Sequence, residues 1–167
     1  MHCGSCGFES EATRKFCGEL FAETLALARV EGTGLETQNF ALAVFADSCL
    51  ARGDTQAAMG RAREGIDVAD ASGMWFQGAL ARAALADALV HANAPEQEIR
   101  TLLAQARELV SRSGGNSLLP RLREAEVRLE ARSDATLLAA GLREAEAMYR
   151  AMGAPDPAER LARELAA

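Results

Sequence analysis

The chain has 167 residues and a formal net charge of −6 at pH 7, which argues for one domain with room for a small appendage. Nucleic acid is not an expected partner, because no cluster of basic residues is available to bind phosphates. Hydrophobic residues make up 49% of the sequence but aromatic residues only 5%, so Ala, Leu and Val must build the core. Small side chains of this kind suit closely packed helices.

Targeting signals are not evident in the sequence. No apolar run approaches the roughly 20 residues needed to span a bilayer. Residues 1–8 do not form an apolar signal segment either, so we expect a cytoplasmic protein without a membrane partner. In a reducing compartment, the four cysteines are thiols or metal ligands rather than disulfides.

The first predicted element, segment 1–19, has the cysteine spacing of a zinc ribbon with one ligand missing. Cys3 and Cys6 are separated by two residues, and pairs of thiolates at this spacing chelate zinc well. Cys17 would begin the second pair, but Leu20 stands where the fourth cysteine belongs. Zinc is therefore the one cofactor that the sequence suggests, held incompletely by Cys3, Cys6 and Cys17.

The identity of a fourth ligand stays open. His2 directly precedes a cysteine, and adjacent residues rarely reach one tetrahedral ion together, while Glu19 would need an altered turn. The alternative is a ribbon that has lost its metal, with Leu20 as the first apolar residue of a helix over 20–31. A thioredoxin-like redox role for the first cysteine pair is the weakest interpretation, because that motif belongs in a βαβ unit.

After Gly18 the pattern is helical almost to the end. Apolar residues recur three or four apart in 75–92 and in 95–112, which is typical of amphipathic helices, with Arg82, Asp87, Arg107 and Glu108 off the apolar stripes. Residues that start or stop helices separate the segments. The predicted N-caps are Asp54, Ser117 and Asp134, the predicted glycines just past helix ends are Gly73, Gly114 and Gly153, and Pro120 is predicted in a first turn.

The same three glycines mark a repeat, because they are 41 and then 39 residues apart. Small or apolar residues stand 15, 11, 8 and 4 positions before each of them: Ala58, Ala62, Gly65 and Ala69; Ile99, Leu103, Ala106 and Val110; Leu138, Leu142, Ala145 and Tyr149. The small residue at the eighth position would let a neighbouring helix approach closely. The repeat predicts three helical hairpins, about 36–73, 75–114 and 117–153, stacked as an α-solenoid, with a last helix from about 156.

This register of small residues resembles a tetratricopeptide repeat in a version longer than the standard 34 residues. The stretches "ARGDTQAAMGRAREGIDVADASGMWFQGALARAALADAL", "LLPRLREAEVRLEARSD" and "LREAEAMYRAMGAPDPAERLARELAA" are similar to the C-terminal repeats of large bacterial regulators. Those regulators fuse a nucleotide cyclase or an ATPase module to such repeats, and "CGSCGFESEATRKFCGEL" resembles the zinc ribbon that opens many of them. The resemblance implies a tetratricopeptide-like fold of about seven or eight helices over 20–167, after a short irregular N-terminal segment.

The chain departs from that family at Leu20 and in lacking the whole catalytic middle, so that the family's first segment is joined to its last. A reduced paralogue, a decayed gene and an engineered deletion would each produce this arrangement. The resemblance implies a protein or peptide partner that binds in the concave groove of the repeats, without chemistry.

No enzyme is predicted. The chain has no G-x-x-x-x-G-K-[ST] phosphate loop, and its only lysine, Lys15, is too near the N-terminus to belong to one. His91 is predicted at a helix end in a capping or surface role, and the carboxylates alternate with arginines as on a solvated face, as at Arg160 and Glu164. No nucleophile–base pair is evident, so no catalytic residue is assigned.

Three further side chains have a predicted structural role. Cys49 lies on a helix stripe and is predicted to be a small core residue. Trp75 and Phe76 begin a helix and are predicted to pack into the neighbouring hairpin, with a binding hot spot as the alternative.

Three functions stay open from the sequence. The first is a non-catalytic protein-interaction module of a bacterial signalling protein. The second is a sensor in which the N-terminal cysteines respond to metal or oxidation and the repeats relay the signal. The third is a remnant of a cyclase-type regulator that has no function of its own.

Overall fold

The computed structural model describes Ala26 and residues 34–134 and 136–166. Within these residues the chain is helical and contains no strand, which confirms the predicted all-α class. Seven α-helices and one 3₁₀ turn, Asn116–Leu118, lie in the described part: α1 Leu35–Ala51, α2 Thr55–Ser72, α3 Trp75–His91, α4 Glu96–Ser113, α5 Leu119–Glu130, α6 Thr136–Ala151 and α7 Pro155–Ala166. None of these helices is both long and apolar enough to cross a membrane.

The helices form a stack of hairpins in chain order. Each helix packs on the next one along the chain, and the first helices of successive hairpins also meet, α1 with α3 and α3 with α5. The hairpins are α1–α2, α3–α4 and α5–α6, and α7 packs on α6 at the end of the stack. The solenoid of helical hairpins predicted from the repeat is therefore confirmed for the residues that the structure describes.

The core lies at the positions that the repeat marked. Of the twelve small or apolar residues at those positions, ten are buried, while Leu138 and Tyr149 are half-buried. The eighth position allows the close approach that its small residues predicted: a Cβ atom added to Gly65 would lie 3.2 Å from the Cβ of Ala81 in α3. Gly141 in α6 has the same role, because a Cβ there would overlap the side chain of Val127 in α5.

The predicted helix ends are confirmed at most positions. Gly73, Gly114 and Gly153 have φ values of 66°, 69° and 69°, in the left-handed region that follows many helices. Asp54 caps α2 by accepting a hydrogen bond of 3.0 Å from the backbone N–H of Ala57. Asp134 accepts one of 2.9 Å from the backbone N–H of Thr136 at the start of α6.

The predicted N-cap at Ser117 is wrong. The chain makes a 3₁₀ turn there, in which the N–H of Leu118 donates to the carbonyl oxygen of Gly115 at 3.1 Å, and α5 begins only at Leu119. Pro120 lies in the first turn of α5, as predicted, and its side chain is buried. α5 is therefore shorter than the other first helices, with 12 residues against 17 in α1 and in α3.

Candidate binding groove

A groove of about 630 Å³ lies along the first helices of the hairpins. Its described lining residues are Asp47, Leu50 and Ala51 of α1, Asp87, Val90 and His91 of α3, Arg121, Glu124 and Arg128 of α5, Tyr149 of α6, and Arg160 and Glu164 of α7. The α1 and α3 residues stand 40 positions apart in matched order, so two successive hairpins present the same helix face to the groove. The repeat thus builds the groove as well as the core.

Arg121 joins three hairpins at one end of the groove. Its Nε lies 3.0 Å from Oδ2 of Asp87 in α3, and its Nη1 lies 3.0 Å from Oδ2 of Asp47 in α1. The Arg121 side chain is only 18% exposed and that of Asp87 only 21%, whereas that of Asp47 is 42% exposed. One guanidinium is therefore shared by two carboxylates. We call the region of Asp47, Asp87 and Arg121 the acidic end of the groove.

Burial and the neighbouring charges shift the pKa values at the acidic end. Burial raises the pKa of Asp87 to about 6, Arg121 offsets part of this rise, and Asp47 and Glu124 add to it. Burial by itself would lower the pKa of Arg121, but the two aspartates more than compensate and raise it, so that Arg121 stays charged. The carboxylate of Asp87 thus gains a proton more easily than an exposed aspartate does.

A second ionic cluster lines the other end of the groove. Glu124 is 8% exposed and accepts hydrogen bonds from Arg160 Nη2 at 2.7 Å and from Arg128 Nη2 at 3.0 Å. Arg128 also donates to Glu164 at 2.7 Å, which lowers the pKa of that carboxyl. Two arginines and two glutamates make this end electrically neutral, and they tie α5 to α7.

Among the described residues that line the groove, Tyr149 is the one with a phenol ring. Its ring is half-buried, and burial raises the pKa of its phenol to about 12, so the hydroxyl stays protonated at neutral pH. The hydroxyl donates to no other residue in the part of the chain that the structure describes. It is therefore available as a hydrogen-bond donor to a bound molecule.

The predicted metal ligands Cys3, Cys6 and Cys17 lie outside the described residues, as do His2 and Glu19. Among the residues that are described, no group of three or more His, Cys, Asp or Glu is arranged to hold a metal ion. The zinc site therefore stays a prediction from the cysteine spacing.

Two other predicted roles are confirmed. Cys49 is 1% exposed and belongs to the core of α1. His91 is exposed at the C-terminal end of α3, where its Nδ1 lies 2.8 Å from the carbonyl oxygen of Asp87. The sequence did not indicate that His91 also lines the groove.

The aromatic residues Trp75 and Phe76 differ in their burial. Phe76 is half-buried against the core, as predicted, and lies so close to Gly115 that a Cβ there would come within 2.5 Å of its ring. The prediction for Trp75 is wrong, since 44% of this residue is exposed and its ring lies 4.3 Å from the guanidinium carbon of Arg112 in α4. Adjacent helix positions point about 100° apart, so only Phe76 is in phase with the buried stripe of α3.

Sequence reasoning missed the ionic groups of the groove. Asp87 lies off the apolar stripe of α3, yet its side chain is mostly buried beside Arg121. Arg160 is 46% exposed, as predicted for a solvated face, but it also pairs with the buried Glu124. The recurrence of Asp47 and Asp87 at a spacing of 40 residues was the one signal in the sequence that could have indicated a shared environment.

Comparison of the chain with protein-family models, with curated proteins and with solved structures found no match. The resemblance to the repeats of cyclase- and ATPase-type regulators therefore stays a prediction. The groove and its chemistry are the basis on which a function can be argued.

Proposed function

We propose that this chain is a non-catalytic interaction module that binds a segment of a partner protein in the groove. The observation that carries the proposal is the groove lined by the first helices of three hairpins, by Tyr149 of α6 and by α7. Its volume of about 630 Å³ lies within the range of protein ligand sites, which is roughly 300–1,000 Å³. A groove of this size accommodates several side chains of an extended or helical segment.

The chemistry of the lining residues favours binding over reaction. Each arginine that lines the groove is held by carboxylates, and the described lining residues include no Ser, Thr, Cys or Lys that could act as a nucleophile. His91, the one imidazole, faces a backbone carbonyl rather than a side chain that it could activate. Covalent catalysis by a hydroxyl or thiol would need such a group with a base within hydrogen-bond reach.

The ionic pairs also prepare the groove for binding. Arg121 bridges α1, α3 and α5, while Arg128 and Arg160 connect α5 to α7. Side chains that are already fixed lose little conformational entropy when a partner binds. The hydroxyl of Tyr149 can then donate to a main-chain carbonyl of the bound segment.

The resemblance supports a more specific setting, in which the module acts in bacterial signalling beside a nucleotide cyclase or an ATPase. A metal- or thiol-responsive sensor is the second candidate, favoured by the spacing of Cys3, Cys6 and Cys17. Zinc binding under reducing conditions separates these two candidates.

Site-specific photo-crosslinking tests the proposal in the cells from which the chain derives. A photoreactive phenylalanine analogue replaces either Ala51, which lines the groove, or Ala104, which is exposed on α4 outside it. We expect a discrete protein adduct at position 51 and none at position 104. Equal labelling at both positions, or no adduct at either, would contradict the proposal, as would ATP or GTP turnover by the homogeneous protein above a mock preparation.

A further inference from the structure

We propose that the groove selects a partner segment that carries an arginine or lysine, whose cation binds beside Asp47 and Asp87. This inference rests on the proposed function and specifies the chemistry of the partner. The unequal distribution of charge along the groove is the observation that carries it.

The surplus of negative charge is confined to one end. At the acidic end, the two carboxylates of Asp47 and Asp87 share the single guanidinium of Arg121. At the other end, Arg128 and Arg160 balance Glu124 and Glu164. One additional positive charge at the acidic end would complete the pairing of all described ionic groups that line the groove.

The carboxylate of Asp47 is accessible to that cation. Its side chain is 42% exposed, against 18% for Arg121, so a second cation can approach without displacing the first. A carboxylate offers about four lone-pair sites, and Arg121 uses one on each oxygen of Asp47. Free acceptor positions therefore remain at the mouth of the groove.

The apolar surface beside the aspartates favours a long side chain over a bare metal ion. Leu50 and Val90 follow Asp47 and Asp87 by three residues, about one helical turn, and line the same groove with Ala51. Lys and Arg cover apolar surface with their methylene stems while the charged head stays in a polar environment. An acidic partner has no such place, because the three arginines of the groove are already bound to carboxylates.

Fluorescence anisotropy with three labelled peptides tests the inference. The probe is Ala-Leu-Arg-Ala-Leu-Arg-Ala, and the comparison peptides carry Gln or Glu in place of both arginines. The measurement is made at low ionic strength and about pH 8, above the pKa of about 6 of Asp87, so that its carboxylate is charged. We expect the arginine peptide to bind about fivefold or more tightly than the glutamine peptide, and the glutamate peptide to bind least.

Two variants with the same change in net charge locate the effect. Asp47→Asn should weaken binding of the arginine peptide about fivefold, while Asp67→Asn, at an exposed position of α2 outside the groove, should change it by less than about twofold. Asp47→Glu keeps the charge and should retain most of the affinity. Circular dichroism of each variant verifies that the fold is intact, and the three peptides decide the question on the unaltered protein alone.

Several outcomes overturn the inference. Equal affinity for the arginine and glutamine peptides, tighter binding of the glutamate peptide, or equal losses in the two asparagine variants would each do so. If position 51 still yields an adduct in cells, the groove binds a partner of other chemistry and the proposed function survives. If that adduct is also absent, the proposed function fails as well.

Discussion

Arg121 in α5 is bound to Asp47 in α1, a residue 74 positions earlier in the chain. Its Nη1 lies 3.0 Å from Oδ2 of Asp47, and the same guanidinium also reaches Asp87. The contact joins the third hairpin to the first across α3, because all three side chains line the same groove. The loss of Arg121 should consequently disturb three helices at once.

Arg121→Gln should lower the free energy of unfolding by about 3 kcal/mol, since it leaves Asp87 mostly buried without its cation. Urea denaturation followed by circular dichroism measures the change. The matched control is Arg150→Gln, because Arg150 is 60% exposed and pairs with Glu146 within one helix. That control should cost under about 0.5 kcal/mol, and equal losses in both variants would show that the bridge has no special role.

Asp87 should titrate with a midpoint near pH 6 in a carbon-detected NMR experiment on its carboxyl group. Its pKa is raised from 3.8 to about 6, so between these values the folded chain binds the proton more strongly than the unfolded chain. The contribution of Asp87 to stability is therefore greatest below about pH 4, falls as the pH rises toward 6, and stays low above 6.

Asp134 provides an internal reference for that titration, because hydrogen bonds from Thr136 lower its pKa. Arg121→Gln should move the Asp87 midpoint further upward, since Arg121 is the group that opposes the rise. A midpoint for Asp87 close to that of Asp134 would contradict the burial and charge crowding seen in the groove.

Leu103→Ala should cost roughly 2–5 kcal/mol, the usual range for truncating a buried leucine. Leu103 is 3% exposed in α4, whereas Leu137 in α6 is 46% exposed and gives a control of the same chemistry. We expect the loss for Leu137→Ala to be well below that for Leu103→Ala in parallel denaturation curves. A change under about 0.5 kcal/mol at position 103 would show that this residue is not part of the inter-helix core.

Leu20→Cys should tighten zinc binding, because it restores the second Cys-x-x-Cys pair and completes four ligands with Cys3, Cys6 and Cys17. Metal binding and folding of such a segment are coupled, so zinc should also protect residues 1–20 from proteolysis in the variant. Zinc stoichiometry and affinity are measured under reducing conditions on both proteins. Equal, tight, one-to-one binding by both would mean that the unaltered chain already has a fourth ligand, and no binding by either would exclude a ribbon.

The hairpins could be predicted from the sequence because their signals are local. Gly73 and Gly114 end helices through a backbone conformation that glycine adopts without strain, and Asp54 caps the helix that follows it directly. The 3₁₀ turn around Ser117 could not be predicted, since a serine followed by Leu-Leu-Pro suits a direct helix start equally well. Local sequence patterns therefore predict the order of the helices but not the 3₁₀ turn before α5.

The groove could not be predicted, because its residues are brought together only by the stacking. Asp87 lies off the apolar stripe of its helix, at a position that is normally exposed to solvent. Its side chain is mostly buried because Arg121 from another hairpin packs beside it. Nothing near Arg121 in the sequence indicates that its partners are 34 and 74 residues away. Long-range pairing of this kind depends on the curvature of the stack, which is a property of all the helix contacts together.

The ion pair between Arg121 and Asp47 also affects how the protein unfolds. In most repeat stacks each unit contacts only its neighbours, so the terminal units can fray while the middle stays folded. Here the first hairpin cannot detach without breaking a contact to the third. Amide hydrogen exchange in α1 should therefore be about as slow as in α3 and α4. Replacing Arg121 should make exchange in α1 faster. The guanidinium therefore couples the opening of the first described hairpin to the opening of the second and third.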